Sequence, residues 1–509
     1  MHRPAPVLKF FLLFVPMLLV ACSAPQRAGD EAAVPADGSA APPASAAQAR
    51  EPAKATLQVP VEYYRLKNGL RVVLSEDHSV PLVTVAVYVN IGFRNEPRDR
   101  TGFAHLFEHM MFQGSGNLGK MEFVRLIQMN GGVLNGSTRF DFTNYFETVP
   151  AHTLQTMLWA EADRLRGLAI DQDNLSNQID VVKNEVRVNV LNQPYGGFPW
   201  LDMPQYANQN WYNAHNFYGD LAHLDAAKLD EVHSFFKNYY GPGNSALVVA
   251  GDFEATQTRA WIEQYFANIE SRPPPAAPDI SEPPQTAERR ASRKDPLAPR
   301  PALAIAYHVP ERWTPEHFAF GLIDELLLQG DDSALSRRLV QERGYTDSVF
   351  GGTNMLGNMF NYKGPMLWTA ALIHDPQHST DQILTDIDGE IARLQSTPVS
   401  SEALERARTK FRSGLYDVIG AATRFGLADL LASFALFDDD PGVINKIEDN
   451  IAAVTPELIQ RTAQQYLTRE KRTVLVIEPG KADEKPAAAK PADKPADKKQ
   501  SGASQEKRP

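Results

Sequence analysis

An internal repeat constrains the fold of this chain more than any other feature of its sequence. Residues 230–250, DEVHSFFKNYYGPGNSALVVA, match residues 457–477, ELIQRTAQQYLTREKRTVLVI. Each segment has apolar residues at helical spacing followed by a β-prone run, which predicts a helix and then a strand. Nearer the front, HLFEHMMFQG at residues 105–114 matches GLIDELLLQG at residues 321–330. The repeat predicts two similarly folded domains in one chain.

The first copy carries a metal-ligand pattern that the second copy lacks. His105, Glu108 and His109 stand in the order H-x-x-E-H. In a helix, four residues at about 100° each place the two histidines on one face, one turn apart. Two imidazoles placed that way can share one metal ion, and Glu108 borders the same face, where it can reach a water on the metal. The second copy has glycine, aspartate and glutamate at these positions. The fold is therefore duplicated and the metal site is not.

Composition excludes several classes of protein. The chain has 509 residues, of which 43% are hydrophobic, so it can bury more than one core. Its net charge is −11 and the acidic excess is spread along the sequence, so we expect no nucleic-acid partner. Cys22 is the only cysteine, which leaves no intrachain disulfide and no thiolate-rich zinc site.

The first 22 residues have the pattern of a secretory signal. A short basic start leads into an apolar run at residues 7–21, which is shorter than the about twenty residues that span a bilayer. The run ends in LVAC, which resembles a bacterial lipobox and implies that Cys22 is lipidated. Ser23 follows instead of aspartate, as in lipoproteins sorted to the outer membrane. We therefore expect a lipid anchor at Cys22 on the periplasmic face of the bacterial outer membrane. An ordinary signal peptide cleaved elsewhere is the alternative.

Shifts in composition divide the rest of the chain. Segments rich in Ala, Pro, Ser or Lys cannot form a core and are expected to be disordered, and the Pro-rich stretch with PPPAAP and SEPPQ reads as a linker. Between them, alternating β patterns mixed with helical ones predict α/β (α+β) domains. The predicted order is a signal peptide at 1–22, a tether at 23–57, a first domain at 58–271, a linker at 272–300, a second domain at 301–479 and a tail at 480–509.

Five segments resemble the pitrilysin or insulinase family of inverted-motif zinc peptidases, which includes the mitochondrial processing peptidases. They are KNGLRVVL, HLFEHMMFQGS, GGVLNGSTRFDFTNYF, DVVKNEVR and YYGPGNSALVVAGD. The resemblance is close over residues 60–270 and looser over residues 300–478. It implies two homologous metallopeptidase domains of the mitochondrial-processing-peptidase-like fold, the first catalytic and the second not. Together they would form half of a four-domain clamshell.

The resemblance also implies the third metal ligand and the reaction. Glu185 in DVVKNEVR is expected to join His105 and His109, leaving one position for water, as in catalytic zinc sites. We expect one Zn²⁺ per chain and hydrolysis of peptide bonds by a zinc-activated water, with Glu108 as general base. The chain would be an endopeptidase or oligopeptidase acting on peptides or unfolded segments in the bacterial periplasm. The alternative is a non-catalytic scaffold or assembly lipoprotein that retains the fold.

Family members hold the substrate as an added strand on a sheet edge beside the metal. Residues 132–137 resemble that edge, and the resemblance implies substrate contacts at Asn135 and Gly136. Seven residues before the third ligand, Gln178 replaces a glutamate that supports the family site. A neutral amide can still donate and accept hydrogen bonds, so we expect altered tuning of the site.

A further pair of family residues is missing or displaced. Family peptidases complete the site with an arginine and a tyrosine seven residues apart in a later domain. The favoured alignment of LVQERGYTDSV, residues 339–349, places Val340 and Asp347 there, whereas a shifted alignment offers Arg338 and Tyr345. We therefore expect a dimer, and favour a heterodimer with a related subunit that supplies the pair over a homodimer.

Overall fold

The computed structural model describes residues 57–480. The predicted signal peptide, the lipidation at Cys22, the tether up to residue 56 and the tail from residue 481 lie outside the described residues. A six-stranded sheet carries the first domain, in the order β1-β2-β6-β3-β5-β4. Its strands are β1 (Glu62–Arg65), β2 (Arg71–Glu76), β3 (Leu82–Val89), β4 (Val133–Thr138), β5 (Thr143–Pro150) and β6 (Ser245–Gly251).

Helices cover one face of this sheet and fill the connections between its strands. They are α1 (Phe103–Met110), α2 (Glu122–Met129), α3 (Leu154–Arg166), α4 (Gln172–Val186), α5 (Asp202–Ala207), α6 (Trp211–Ala214), α7 (Leu221–Asp225), α8 (Leu229–Tyr239) and α9 (Ala255–Phe266). A π-helical turn, Arg187–Leu191, extends α4 beyond its end.

A five-stranded sheet carries the second domain, in the order β7-β11-β8-β10-β9. Its strands are β7 (Arg289–Asp295), β8 (Ala302–His308), β9 (Phe350–Thr353), β10 (Leu367–Ile373) and β11 (Thr473–Pro479). Its helices are α10 (Pro315–Leu327), α11 (Thr380–Ser396), α12 (Ser401–Gly420), α13 (Phe425–Phe437), α14 (Ile447–Ala453) and α15 (Pro456–Tyr466). Between residues 57 and 480 no single helix is long and apolar enough to cross a membrane; α12 and α13 meet those criteria only as a pair, bent by 99°.

The two sheets repeat one topology, as the internal repeat predicts. In the first domain β6 lies parallel to β2 and antiparallel to β3. In the second domain β11 lies parallel to β7 and antiparallel to β8 in the same way. Helix α10 follows β8 as α1 follows β3, but it has no histidine at the positions that match His105 and His109. The predicted fold of two homologous α/β domains is confirmed, and their assembly into a clamshell stays a prediction.

The second domain begins earlier than its predicted start at residue 301. Residues 289–295, assigned to the linker, form the edge strand β7. The sequence of this strand, RRASRKD, does not resemble a strand because it is mostly charged. Its residues alternate between exposed and at least partly buried positions. An edge strand with one solvated face carries no apolar run by which to recognise it.

Each domain also packs a helix onto the sheet of the other. On β3 the odd-numbered valines 83–89 face the core that contains α1, while Ala86 and Tyr88 face a core shared with α13. This alternation follows from the period of two along a strand. Met203 and Ala207 of α5, in return, pack against the second sheet. Because α13 covers one face of the first sheet, α1 and its polar residues lie on the other.

Candidate metal centre

Helix α1 is fixed at both its start and its apolar face. Phe103, Leu106 and Phe107 are buried against the sheet, which leaves the polar residues of the motif on another side of the helix. Gly102 precedes the helix with φ of 86°, a left-handed conformation that glycine adopts without strain. The buried carboxyl of Glu96 accepts hydrogen bonds from the backbone N–H groups of Gly102 (2.9 Å) and Ala104 (2.5 Å). It thereby satisfies donors that the first turn of a helix leaves free.

Helix α4 carries Glu185 to the same place. The helix begins at a capping residue, Asp171, whose side chain accepts a hydrogen bond from the backbone N–H of Asn174 at 2.8 Å. It packs against α1, and Glu185 lies in its last turn, just before the π-helical extension. Glu185 therefore reaches the site from a different helix than the one that carries the two histidines.

Three side chains converge on one point between these helices. The Nε2 atoms of His105 and His109 lie 3.3 Å apart. Glu185 places Oε1 3.6 Å from His105 Nε2 and Oε2 3.3 Å from His109 Nε2. Zinc bonds to nitrogen and oxygen are about 2.0–2.2 Å long, so tetrahedral ligands lie about 3.3–3.6 Å from one another. The spacing and the donor types therefore fit a zinc ion, and the three residues could hold one.

Electrostatics favour the charged carboxylate and the charged imidazole at this point. Burial opposes ionisation of Glu185, yet the neighbouring imidazoles of His105 and His109 hold its pKa well below the usual value. Burial likewise lowers the pKa of His105, but the neighbouring carboxylates of Glu185, Glu108 and Glu96 raise it overall. A metal ion needs neutral imidazoles and an ionised carboxylate as ligands, so its affinity for this cluster should fall in acid.

Glu108 lies on the same helix and is held from the neighbouring strand. The hydroxyl of Thr138, on β4, donates a hydrogen bond of 2.7 Å to Glu108 Oε2. Gly136 lies beside the same carboxylate, because a Cβ at this position would be 3.4 Å from Glu108 Cγ. Glu108 is 5% exposed, so its carboxylate depends on these neighbours for its orientation.

The predicted substrate edge is an edge strand. Among the described residues β4 pairs only with β5, so its other side is open. Asn135 is exposed on β4, and its Oδ1 accepts a hydrogen bond of 2.9 Å from the backbone N–H of Gly136. The strand therefore combines free backbone groups with closeness to Glu108, the two features that strand addition beside a catalytic site needs.

Three other predicted residues lie elsewhere in the structure. Gln178 is buried on α4, and its amide donates to Asn177 Oδ1 at 2.8 Å. In the second domain, Arg338 Nε donates to Asp386 Oδ1 at 2.9 Å and the Tyr345 hydroxyl donates to Asp386 Oδ2 at 2.7 Å. Tyr345 is 2% exposed. Asp386 thus holds both side chains within the second domain, and the assignment of Arg338 and Tyr345 as oxyanion donors stays a prediction.

Sequence analysis missed three residues that the structure brings to the centre. Thr138 could have been found, because it follows Gly136 by two residues on a strand and so shares its face. Glu96 has no local signal, since it does not stand at capping spacing from α1. Tyr218 joins the site from a loop before α7, with its ring centroid 5.3 Å from that of His105. Burial raises the pKa of Tyr218, and the charges of Glu185 and Glu108 raise it further.

Comparison with known proteins places most of the described residues in one family. The profile described as "Insulinase (Peptidase family M16)" matches residues 71–210, and the profile described as "Peptidase M16 inactive domain" matches residues 226–411. The zinc protease PqqE of Helicobacter pylori is 23% identical over 423 residues, covering 82% of this chain and 93% of that protein. The uncharacterized zinc protease YmxG of Bacillus subtilis is 21% identical over 431 residues, covering 82% and 99%.

Solved structures share the fold. The crystal structure of a protease from Helicobacter pylori superposes with a TM-score of 0.75 at 22% identity, covering 83% of this chain and all (100%) of that one. A peptidase M16 inactive domain from Pseudomonas fluorescens gives a TM-score of 0.72 at 16% identity, covering 84% and 100%. Both domain profiles, the zinc-protease relatives and the H-x-x-E-H helix agree, and the chain belongs to the insulinase family of peptidases, peptidase family M16.

Proposed function

We propose that this chain is a zinc-dependent endopeptidase or oligopeptidase that cleaves peptides or unfolded segments. The observation that carries the proposal is the meeting of His105, His109 and Glu185 at tetrahedral spacing, with the carboxylate of Glu108 on the same helix. A scaffold protein needs neither three convergent ligands nor a carboxylate base beside them. We further propose one zinc ion per chain, bound by these three side chains.

The residues of the chain divide the chemistry among them. A bound zinc ion supplies a water of pKa about 7 and a Lewis acid for the substrate carbonyl. Glu108 would accept a proton from the attacking water, and Thr138 would hold Glu108 in place during the transfer. Strand β4 binds the peptide main chain through its open edge, which aligns the scissile bond with the base. Glu108 then delivers the proton to the leaving amine.

We propose that the chain works at the periplasmic face of the bacterial outer membrane, lipid-anchored through Cys22. The support is the LVAC sequence after an apolar run, followed by serine. We also propose that it works as a dimer, in which a related two-domain subunit faces the first domain and supplies an arginine and a tyrosine. The support is that Arg338 and Tyr345 of this chain are held by Asp386.

The alternative function is a non-catalytic scaffold or assembly lipoprotein. It is favoured by the match of residues 226–411 to a domain described as inactive, although His105, Glu108, His109 and Glu185 lie outside that match. Zinc content separates the two functions, because a scaffold needs no metal of high affinity.

The deciding experiment measures zinc content and cleavage of a mixed peptide pool by the purified full chain, with Glu108→Gln as the control variant. We expect about one zinc per chain in both proteins and cleavage only with Glu108 present. Zinc without cleavage by the chain alone would support the need for a partner subunit. A chain that binds no zinc would refute the enzyme proposal and leave the scaffold.

A further inference from the structure

We propose that Tyr218 donates a hydrogen bond to the oxygen of the scissile carbonyl as that oxygen becomes an oxyanion. The first domain would then contribute one oxyanion donor of its own, whether or not a partner adds others. This inference rests on the proposed peptidase function and names a further catalytic residue of the same site.

The ring of Tyr218 is held between two aromatic side chains. Its centroid lies 5.3 Å from that of His105, with the planes inclined by 53°, and 5.6 Å from that of Trp200, inclined by 76°. The contact with His105 places the ring against a residue that could hold the metal. The contact with Trp200 packs the ring against the segment that follows α4.

The loop that carries Tyr218 is fixed to the start of α1 by its backbone. Gly219, with φ of 75°, approaches so closely that a Cβ there would lie 2.5 Å from the backbone nitrogen of Gly102. The hydroxyl of Thr101 accepts a hydrogen bond of 2.9 Å from the backbone N–H of Asp220. Tyr218 therefore moves with the metal-binding helix, as a preorganised donor must.

The hydroxyl of Tyr218 is free to bind a substrate atom. It has no hydrogen bond to any residue between 57 and 480, and the side chain is partly exposed. By contrast, the hydroxyl of Tyr88 donates to Asp429 at 2.8 Å, and that of Tyr145 pairs with Tyr240 at 2.9 Å. The ring contact with His105 places the side chain of Tyr218 beside the cluster of His105, His109 and Glu185.

The step that Tyr218 assists is the addition of water. The oxygen of the water forms a bond to the carbonyl carbon, one proton of the water moves to Glu108, and the π electron pair of the carbonyl moves onto its oxygen. Tyr218 keeps its proton and donates only a hydrogen bond to that oxygen. When the C–N bond breaks, the pair returns to the carbonyl, and the proton on Glu108 goes to the leaving nitrogen. A donor aimed at the oxyanion stabilises the transition state more than the bound peptide.

The test compares Tyr218→Phe with Tyr239→Phe in the full zinc-loaded chain. Both changes remove a hydroxyl that has no hydrogen bond to residues 57–480, and both keep the ring; Tyr239 packs on Phe235 with centroids 4.6 Å apart. Calorimetry measures the binding of a phosphinic peptide, which mimics the tetrahedral species. It also measures the binding of the matching amide peptide, for which each variant carries Glu108→Gln as well so that the peptide is not cleaved. Competition with a chelator measures zinc affinity.

We expect Tyr218→Phe to weaken phosphinic peptide binding about 100-fold, in line with loss of one oxyanion donor. Amide peptide affinity and zinc affinity should stay within about threefold, and Tyr239→Phe should change nothing. If the chain alone hydrolyses the amide peptide, Tyr218→Phe should lower kcat by the same factor as the phosphinic affinity and leave KM unchanged.

Two results would overturn the inference. One is unchanged affinity of Tyr218→Phe for the phosphinic peptide; the other is equal loss for both peptides or loss of zinc, which a merely structural role predicts. Failure of the proposed function looks different, because the unaltered chain would then bind neither zinc nor the phosphinic peptide, and this inference would fall with it.

Discussion

The hydroxyl of Thr138 donates a hydrogen bond of 2.7 Å to Oε2 of Glu108 and so connects the edge strand β4 to the carboxylate of the H-x-x-E-H motif. The two residues lie on β4 and α1, and Thr138 is buried. The other edge of β4 is open among the described residues, so under the proposed function peptide binding and proton transfer would depend on the same strand. A donor to a charged group is worth about 1.5–3 kcal/mol, which makes this contact large enough to measure.

Thr138→Val removes the hydroxyl and keeps the shape of the side chain. We expect kcat/KM to fall about tenfold or more, since 1.4 kcal/mol corresponds to one factor of ten. Zinc content should not change, because Thr138 does not contact His105, His109 or Glu185 through a hydrogen bond. Thr138→Ser restores the donor and should recover most of the activity. Equal loss in both variants would argue that packing, and not the hydrogen bond, is at work.

Glu96→Gln should loosen the start of α1. The carboxyl of Glu96 accepts from two backbone N–H groups, and an amide has only one acceptor oxygen to offer them. We expect the unfolding free energy to fall by about 1–2 kcal/mol, as for the loss of a helix cap. Since His105 follows Ala104 directly, zinc affinity should fall as well. Urea unfolding and chelator competition measure the two effects, and a variant with unchanged affinity would show that α1 needs no such anchor.

Glu185→Gln should release the metal while leaving the fold intact. The amide lacks the negative charge that attracts the cation. Loss of a residue that only supports a ligand lowers metal affinity about 10–100-fold, so loss of the ligand Glu185 should lower zinc affinity by more than about 100-fold. Glu108→Gln is the matched control, because it changes a carboxylate of the same site that holds no metal in our proposal. Zinc content after dialysis against a chelator checks this, and equal retention by both variants would contradict the assigned ligand set.

Sequence patterns predict the parts of the site whose residues recur at the spacing of a helix or a strand. The spacing of His105, Glu108 and His109 on one helix turn was enough to bring them together, and the resemblance added Glu185. Strand alternation places Thr138 on the same face of β4 as Gly136, so its position beside Glu108 follows from the strand pattern. Glu96 and Tyr218 reach the site through loop geometry, which depends on tertiary packing and leaves no periodic signal.

The limits of fold prediction have the same origin. The duplication was visible because two helix–strand units repeat at residues 230–250 and 457–477. β7 was assigned to the linker because an edge strand with charged residues resembles a loop in composition. The packing of α13 on the first sheet could not be foreseen, since an apolar helix shows only that it is buried and not what covers it.

Acid should destabilise the second domain through His317. Burial and the nearby charge of Arg312 lower the pKa of this histidine to about 3, so it stays neutral in the folded protein. The unfolded chain takes up a proton below about pH 6.5, so the stability that His317 contributes is present above that pH and lost as the pH falls towards about 3.

His317→Gln tests this without removing the hydrogen bond, because the amide can donate to the Met359 carbonyl that His317 Nε2 contacts at 3.0 Å. Between pH 7 and pH 5 the unfolding free energy of the unaltered chain should fall by about 2 kcal/mol more than that of the variant. Zinc ligands and the other histidines are the same in both proteins, so their pH dependence cancels in the difference. Parallel curves would mean that His317 titrates normally.

The packing of α13 on the first sheet, to which Tyr88 and Asp429 contribute, should make the two domains unfold together. The hydroxyl of Tyr88, on β3, donates to Asp429 Oδ1 on α13 at 2.8 Å and accepts from Asn144 at 2.8 Å. Tyr88→Phe leaves both partners short of a hydrogen bond in a buried interface, so we expect the unfolding free energy to fall by about 1–3 kcal/mol.

Tyr64→Phe is the control, because the Tyr64 hydroxyl is buried without a hydrogen-bond partner among residues 57–480, and its removal should cost little. Urea unfolding followed by tryptophan fluorescence and circular dichroism should give one coincident transition in each protein, shifted to lower urea only in Tyr88→Phe. Two separate transitions in the unaltered chain would show that α13 does not couple the domains, and the interface would then contribute to shape but not to cooperativity.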